Sequence, residues 1–257
     1  MKRFFSVFAI MLLCLSVSAY GQKIDSIPVL RNQAMIDAAQ IAATIANTPS
    51  TVKLGTFDRV NVSGQMDVTL IRVAEGEESK LYYDMKGAAA DKFKYEVDKN
   101  GVLNVVETAD ESRTTRTEVK IYYRNLRSLS VVNANLTLDK QHRGDMLDLA
   151  VSGGATVRAK LDLHDMAVDV TGRSSVVLEG QTRYMALKVS TAKFDAMALK
   201  SMSTIVDASH GAEVSLYVTE RLQAETSTSA NISYKGKPTI VRSHSSLFGG
   251  AITSVEK

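Results

Sequence analysis

Four histidines (His142, His164, His210 and His244) and a scatter of carboxylates are the residues of this 257-residue chain that could carry chemistry. A metal site needs ligands that converge at fixed spacing. His164-Asp165 ends one segment of a repeat and His210 stands at a corner of a later one, so nothing in the spacing makes them meet. The expectation is surface or corner histidines, with no metal site and no cofactor. Paired acids fall on single segments, Asp145 with Asp148 and Asp162 with Asp165. A glycosidase uses such a pair on either side of the scissile bond, across a cleft. Segments of 18 or 19 residues leave little chain for cleft-building loops, and a chain without Trp and with 6 % aromatics is poor in sugar-stacking platforms. Because no nucleophile, base and oxyanion donors assemble in the sequence, the expectation is a non-enzymatic protein with no catalytic residues. A carbohydrate-binding or carbohydrate-active protein is one alternative, and a periplasmic structural or sensory module is another.

Two further features call for a reading. Arg143-Gly144-Asp145 spells a tripeptide of integrin-binding proteins in a polar inter-strand segment; a three-residue match arises easily by chance. Asp195 interrupts an otherwise apolar column. Phe194 beside it predicts a one-residue shift or bulge that turns Phe194 inward and Asp195 outward.

The elements that must position these residues follow from a repeat over 147–234. LDLAVSGGATVRAKL begins at Leu147, MAVDVTGRSSVVLEG at Met166, MALKVSTAKFDAMAL at Met185, TIVDASHGAEVSLYV at Thr204 and LQAETSTSANISYKG at Leu222. Leu149, Val168, Leu187, Val206 and Ala224 form one column; Val151, Val170, Val189, Ala208 and Thr226 form another. Apolar residues thus recur at period 2 within a unit, which means strands with one face inward. Recurrence at about 19 between units means an array in which each unit buries its face by stacking on a neighbour. Propeller blades need units of about 40–50 residues, and neither a helical half-repeat nor a sixfold sub-repeat is present. The architecture expected is all-β, a right-handed parallel β-helix with rungs about 4.8 Å apart. A third column is always a small hydroxyl, Ser152, Thr171, Ser190, Ser209 and Ser227. It predicts a bend with room only for a short side chain, whose oxygen serves backbone groups left unpaired there.

Residues 1–21 read as a secretory signal, with Lys2 and Arg3 before the apolar run Phe4–Leu15 and small residues at Val17, Ala19 and Gly21. The run is short for a span of about 30 Å of hydrocarbon, so no transmembrane segment is expected after cleavage. The single cysteine, Cys14, lies inside this run after Met11-Leu12-Leu13, which is not a lipidation pattern. A mature chain then has no thiol chemistry or disulfide. The net charge is +3, and removing Lys2 and Arg3 leaves 29 basic against 28 acidic residues. With no basic stripe interleaved with aromatics, nucleic acid is not an expected partner. Residues 22–51 form an N-terminal segment in which Leu30, Ala34, Ala38, Ile41 and Ile45 predict a short amphipathic α-helix packed on the body or covering an open end of the stack. Residues 52–257 form the β-helix domain. Val62-Ser63-Gly64 and Val68 match the repeat, Asn100-Gly101 predicts a two-residue hairpin turn, and Glu107–Thr117 reads as a polar loop.

FDRVNVSGQMDVTL, KFKYEVDKNGVLNVV, the V-S-G-type corners at 151–154 and 170–172, Gly236-Lys237-Pro238 and Phe248-Gly249-Gly250 occur in an order that resembles the auto-transporter adhesin head domain, the GIN domain. The resemblance covers about 52–257. It implies a right-handed β-helix, a secreted or envelope protein of Bacteroidetes-like bacteria and an adhesin-like role. It brings no ligand-binding or catalytic residue with it. The chain departs from the pattern at Ser190-Thr191 and Ser209-His210, where the family has Ser-Gly. The expected protein is therefore exported to the periplasm, the outer-membrane surface or the medium. It binds a surface macromolecule, protein or glycan.

Overall fold

The computed structural model describes residues 48–89, 91–109, 113–246 and 248–255. The leader, and the helix expected over 28–47, lie outside the described residues. The rest is an all-β solenoid of about seven turns. Its strands are β1 (Ser50–Lys53), β2 (Arg59–Ser63), β3 (Met66–Arg72), β4 (Lys80–Asp84), β5 (Phe93–Val97), β6 (Val102–Glu107), β7 (Thr117–Tyr123), β8 (Ser128–Val132) and β9 (Asn135–Leu138). They continue as β10 (His142–Ser152), β11 (Thr156–Thr171), β12 (Ser175–Ser190), β13 (Lys193–Ser209), β14 (Glu213–Thr226), β15 (Asn231–Lys235), β16 (Ile240–Ser245) and β17 (Ile252–Ser254).

The columns read from the sequence are columns in space. Leu149 stands against Val168, Val168 against Leu187, Leu187 against Val206 and Val206 against Ala224, all in parallel pairing. Every one of these side chains is buried. Burying a Val or Leu contributes about 1.5–3 kcal/mol, so a rung gains only when a neighbour closes over it. Period 2 breaks at His164-Asp165, two consecutive exposed residues at a bend inside β11.

At the main corner the residue after the hydroxyl column takes positive φ in successive rungs, Gly153 (70°), Gly172 (67°), Thr191 (54°), His210 (53°) and Thr228 (49°), as does Asn133 (56°) after Val132, which pairs with Ser152. Thr191 and His210, the two departures from the family pattern, thus keep the backbone shape that glycine adopts most easily. The bend is tied by backbone bonds between rungs: the N–H of Asn133 donates to the Ser152 carbonyl at 3.1 Å, Arg173 to Thr191 at 2.7 Å and Thr191 to Ser209 at 3.3 Å. This corrects the expected role of the hydroxyls. Backbone carbonyls of the corner, those of Ser152 and Ser209 in the column and of Thr191 beside it, accept these bonds, and the Ser190 hydroxyl instead lies 3.2 Å from His210 Nδ1.

The shift at Asp195 is present, with its cause visible. Thr171 pairs with Ser190 while Ser175 pairs with Lys193, so the third unit's corner is one residue shorter. Phe194 therefore stacks on Val176 and is 1 % exposed. A register shift after Val177 restores the ladder, and Asp195 Oδ1 accepts from the Met197 N–H at 3.0 Å, capping the bulge.

Rung order is not chain order. The β2–β3 rung lies between β6–β7 on one side and β8–β9 on the other. Antiparallel strands lie on the outer rung, β4 on β7, β1 on β4 and β5 on β6. They cover this end of the stack, whose edge would otherwise invite pairing with another chain. The β5–β6 hairpin forms as expected, but through Asp98–Gly101 rather than a two-residue turn. Asp98 Oδ1 accepts from Asn100 and Val102, and only Gly101 of the loop has positive φ (72°). The expected 107–117 loop also begins and ends inside strands. Glu107 and Thr117 are buried, and Arg113 Nη1 meets Glu107 Oε1 at 2.6 Å while Nη2 donates to the Met85 carbonyl.

Phe194→Ala should lower the unfolding free energy by about 3–5 kcal/mol, against about 1 kcal/mol for Asp195→Ala, which loses only the cap. Urea titration of the two variants checks this; equal losses would mean that Phe194 is not the inward residue. Arg113→Ala should cost about 3–5 kcal/mol by leaving Glu107 buried without its partner, and the same titration reads it.

Candidate functional site

The out-of-order rung shapes the surface. After β7 the chain must return across the β2–β3 rung to begin β8, a step of two rung spacings, about 9.6 Å. Arg124–Arg127 makes the step, and four residues span it because an extended residue covers about 3.3 Å. Backbone bonds pin the crossing: Arg127 N–H donates to the Asp58 carbonyl at 2.7 Å and Val73 N–H to the Tyr123 carbonyl at 2.9 Å.

A concavity opens on each side of this segment. The first, of about 610 Å³, is lined by Thr56, Asp58, Arg72, Glu75 and Arg124 among others. The second, of about 700 Å³, includes Arg59, Arg72, Arg127, His142, Arg143 and Asp148. Arg72 and Asn125 line both. Each volume is within the range of about 300–1,000 Å³ typical of ligand clefts. Arg59 and Arg127 share one carboxylate, Asp58, at 3.7 Å each, and Arg143 lies 3.4 Å from Asp162. Arg72 Nη1 donates to the Arg143 carbonyl at 3.1 Å and, among the described residues, has no carboxylate partner.

His142 belongs to this site and corrects the expectation of a surface histidine: it is 2 % exposed. The side chain at the start of β10 points inward, and its Nδ1 lies 3.2 Å from the Tyr123 hydroxyl. Burial, with the Arg72 charge added, lowers its pKa from 6.5 to about 4, against a smaller opposing pull from the Leu126 carbonyl. Burial also pushes the Tyr123 phenol up to about 12. At neutral pH the ring is uncharged, and Nε2 is buried without a hydrogen-bond partner. A Cβ on Gly144 would stand 3.2 Å from Nε2.

The other singled-out residues fall apart. His164 sits at the bend 3.5 Å from Asp145, His210 bonds across rungs to Ser190, and His244 is exposed on β16. Among the described residues no three His, Cys, Asp or Glu side chains form a metal-ligand set. Asp145 and Asp148 line the second concavity, but the Asp145 side chain is 96 % exposed at its rim. Asp162 accepts from Gln181 beside Arg143. Arg143-Gly144-Asp145 lies in a paired strand, not at a loop tip. The members of the arginine cluster come from β2, β3, β10 and the crossing segment and share no spacing in the sequence; Arg124-Asn125-Leu126-Arg127 is its one local signal. A shallower groove of about 370 Å³ runs over the outward Ala150, Ala167, Ala186 and Ile205. Among the described residues no helix is long and apolar enough to cross a membrane.

A family model described as "Putative auto-transporter adhesin, head GIN domain" matches residues 56–238. No curated protein matches the chain significantly. The crystal structure of a "putative adhesin" from Bacteroides fragilis is similar at TM-score 0.69 and 17 % identity, over 80 % of this chain and 95 % of that one. A "putative lipid binding protein" from Parabacteroides distasonis is similar at TM-score 0.62 and 16 % identity, over 81 % and 96 %. A "putative adhesin" from Parabacteroides merdae follows at TM-score 0.59 and 16 % identity, also over 81 % and 96 %. At these identities the likeness is one of fold.

The sign of the His142 shift fixes a pH dependence. Its folded pKa lies below the unfolded value, so the unfolded chain binds more protons between about pH 6.5 and pH 4. Stability contributed by the neutral ring is complete above pH 6.5 and is lost as pH falls toward 4. Thermal melts across this window should show a steeper acid decline for the wild type than for His142→Gln; parallel curves would contradict the assignment.

Proposed function

This chain belongs to the head GIN domain family, and from that premise we propose that it is an exported, non-enzymatic, adhesin-like binding module. It engages a surface macromolecule, protein or glycan, through the arginine-lined double concavity. The observation that carries this reading is the concavity itself. Its walls stand on paired strands and a backbone-pinned crossing, so the backbone positions of the arginines are set before any partner arrives, which reduces the ordering cost of binding. The neighbours described as adhesins in Bacteroides and Parabacteroides support the same role. Export is supported by the charged and apolar leader and by the family's auto-transporter description. Residues 22–51 then connect the leader to the solenoid at 52–257. No ligand-binding residue outside the concavity, no catalytic residue, no metal and no cofactor enters this reading.

A solid-phase screen of the full chain against matrix proteins, glycans and envelope fractions should give saturable binding to at least one class. Arg59→Glu with Arg127→Glu should weaken that binding by about tenfold or more. Binding to none of the panel, or release of reducing ends from a polysaccharide panel, would overturn the reading. Cell fractionation should place the chain outside the cytoplasm; retention inside would remove its premise.

A further inference from the structure

The second concavity combines three observations that point to one ligand chemistry. It gathers guanidinium groups from separate segments, Arg59, Arg72, Arg127 and Arg143. Among these, Arg72 has no carboxylate partner within the described residues, and Asp58 is divided between Arg59 and Arg127 at 3.7 Å from each. Guanidinium groups present fixed forks of donors that match carboxylate and sulfate oxygens. Beneath them stands His142, 2 % exposed, with Nδ1 turned to Tyr123 and Nε2 without a partner. Gly144 lines the same concavity, and a Cβ there would lie 3.2 Å from Nε2. A buried polar atom without a partner is costly and calls for an explanation.

We propose that this concavity is an oxyanion subsite for the carboxylate or sulfate groups of an acidic glycan. Arg72 is the principal donor, Arg143, whose Nε also lies 3.4 Å from Asp162, stands beside it, and the His142 ring lies directly under the bound group. When the Tyr123 hydroxyl donates to Nδ1, the ring carries its proton on Nε2, buried on the side of Gly144 beneath the arginines. The assignment rests on the proposed adhesin-like reading and narrows its partner.

The walls also distinguish a glycan from other polyanions. Asp145 and Asp148 line the same concavity as the arginines, and Asp58 and Glu75 line the adjoining one. A membrane surface or a nucleic-acid backbone is uniformly anionic and would meet these carboxylates with repulsion. An acidic glycan alternates charged groups with hydroxyls, and hydroxyls donate to carboxylates. Arg72 and Asn125 line both concavities, so the two adjoin across the crossing and offer places for successive sugar units.

Calorimetry on the full chain tests this with four probes: an oligogalacturonate, a sulfated oligosaccharide of the same length, a neutral oligogalactoside and phosphatidylglycerol vesicles. One or both charged oligosaccharides should bind in a salt-sensitive manner, and the neutral one should not. Arg72→Ala with Arg143→Ala should weaken binding by about tenfold or more, since hydrogen bonds to charged groups carry that much. Arg183→Ala with Arg221→Ala removes the same charge elsewhere on the solenoid and should change binding by less than about twofold. The His142 ring resonances should move on adding the charged oligosaccharide to the wild type. Equal loss in the two double variants, no preference over the neutral probe, or binding to vesicles alone would overturn the proposal. If melting shows the first pair to be unfolded, Arg72→Gln with Arg143→Gln is read in its place. Surface binding that survives the loss of Arg72 and Arg143 would sink this assignment and leave the adhesin-like reading intact. Glycan binding without any surface binding would do the reverse.

Discussion

The constraint on which this structure depends is that every rung must pair its backbone with the next through the corner as well as along the strands. A corner that left its N–H and C=O groups buried and unpaired would cost more than the small side chains there could return. The solution is a column of residues with positive φ, where the residue itself (Asn133, Thr191) or the one after it (Arg173, Gly211) offers its N–H to a carbonyl of the adjoining rung. Once the column is in place, Thr191 and His210 take the same backbone shape as Gly153 and Gly172. The strain of a non-glycine left-handed residue is of order 1 kcal/mol or more, and the ladder above and below holds it. Where one corner is a residue short, the bulge at Asp195–Met197 absorbs the difference so that the ladder resumes. The corner is thus fixed, and sequence variation is accommodated around it.

The same ladder makes the binding surface possible. Because any rung can stack on any other that shares its columns, the chain is free to lay β6–β7 outside β2–β3 and then return. The return crosses the surface as Arg124–Arg127, and concavities form on both sides of it. A strictly sequential solenoid has no such crossing and would present regular faces there. Irregularity in rung order, rather than a long inserted loop, builds the recess on an otherwise tightly wound domain.

Polar groups are buried where this irregular end needs closing. Glu107, Arg113 and Thr117 tie the 107–117 connection to the outer rung, and Arg113 reaches the Met85 carbonyl. Tyr123 and His142 face each other at a ring-centroid distance of 5.7 Å, at the end of β7 and the start of β10. The two groups differ in consequence. The first is a tie between segments of the fold. The second leaves Nε2 without a partner beside a recess rich in arginine.

By itself the sequence determined the strand periodicity, the inward columns and the inversion at Phe194-Asp195, because side-chain direction along a strand is local and repeats of fixed length must stack. Leu149, Val168, Leu187 and Val206 could be placed in register before any coordinate was known. The five hydroxyls were legible as a corner, but that its bonding is backbone to backbone was not, since the identity of a side chain does not reveal where the carbonyl beside it points. Tertiary structure alone decided the rung order, the burial of His142 and the meeting of Arg59, Arg72, Arg127 and Arg143. Those residues come from segments with no shared period, and the sequence, read in order, puts β2–β3 at the end of the stack. Their proximity depends on a crossing of about two rung spacings, which repetition cannot encode because the chain stops repeating there.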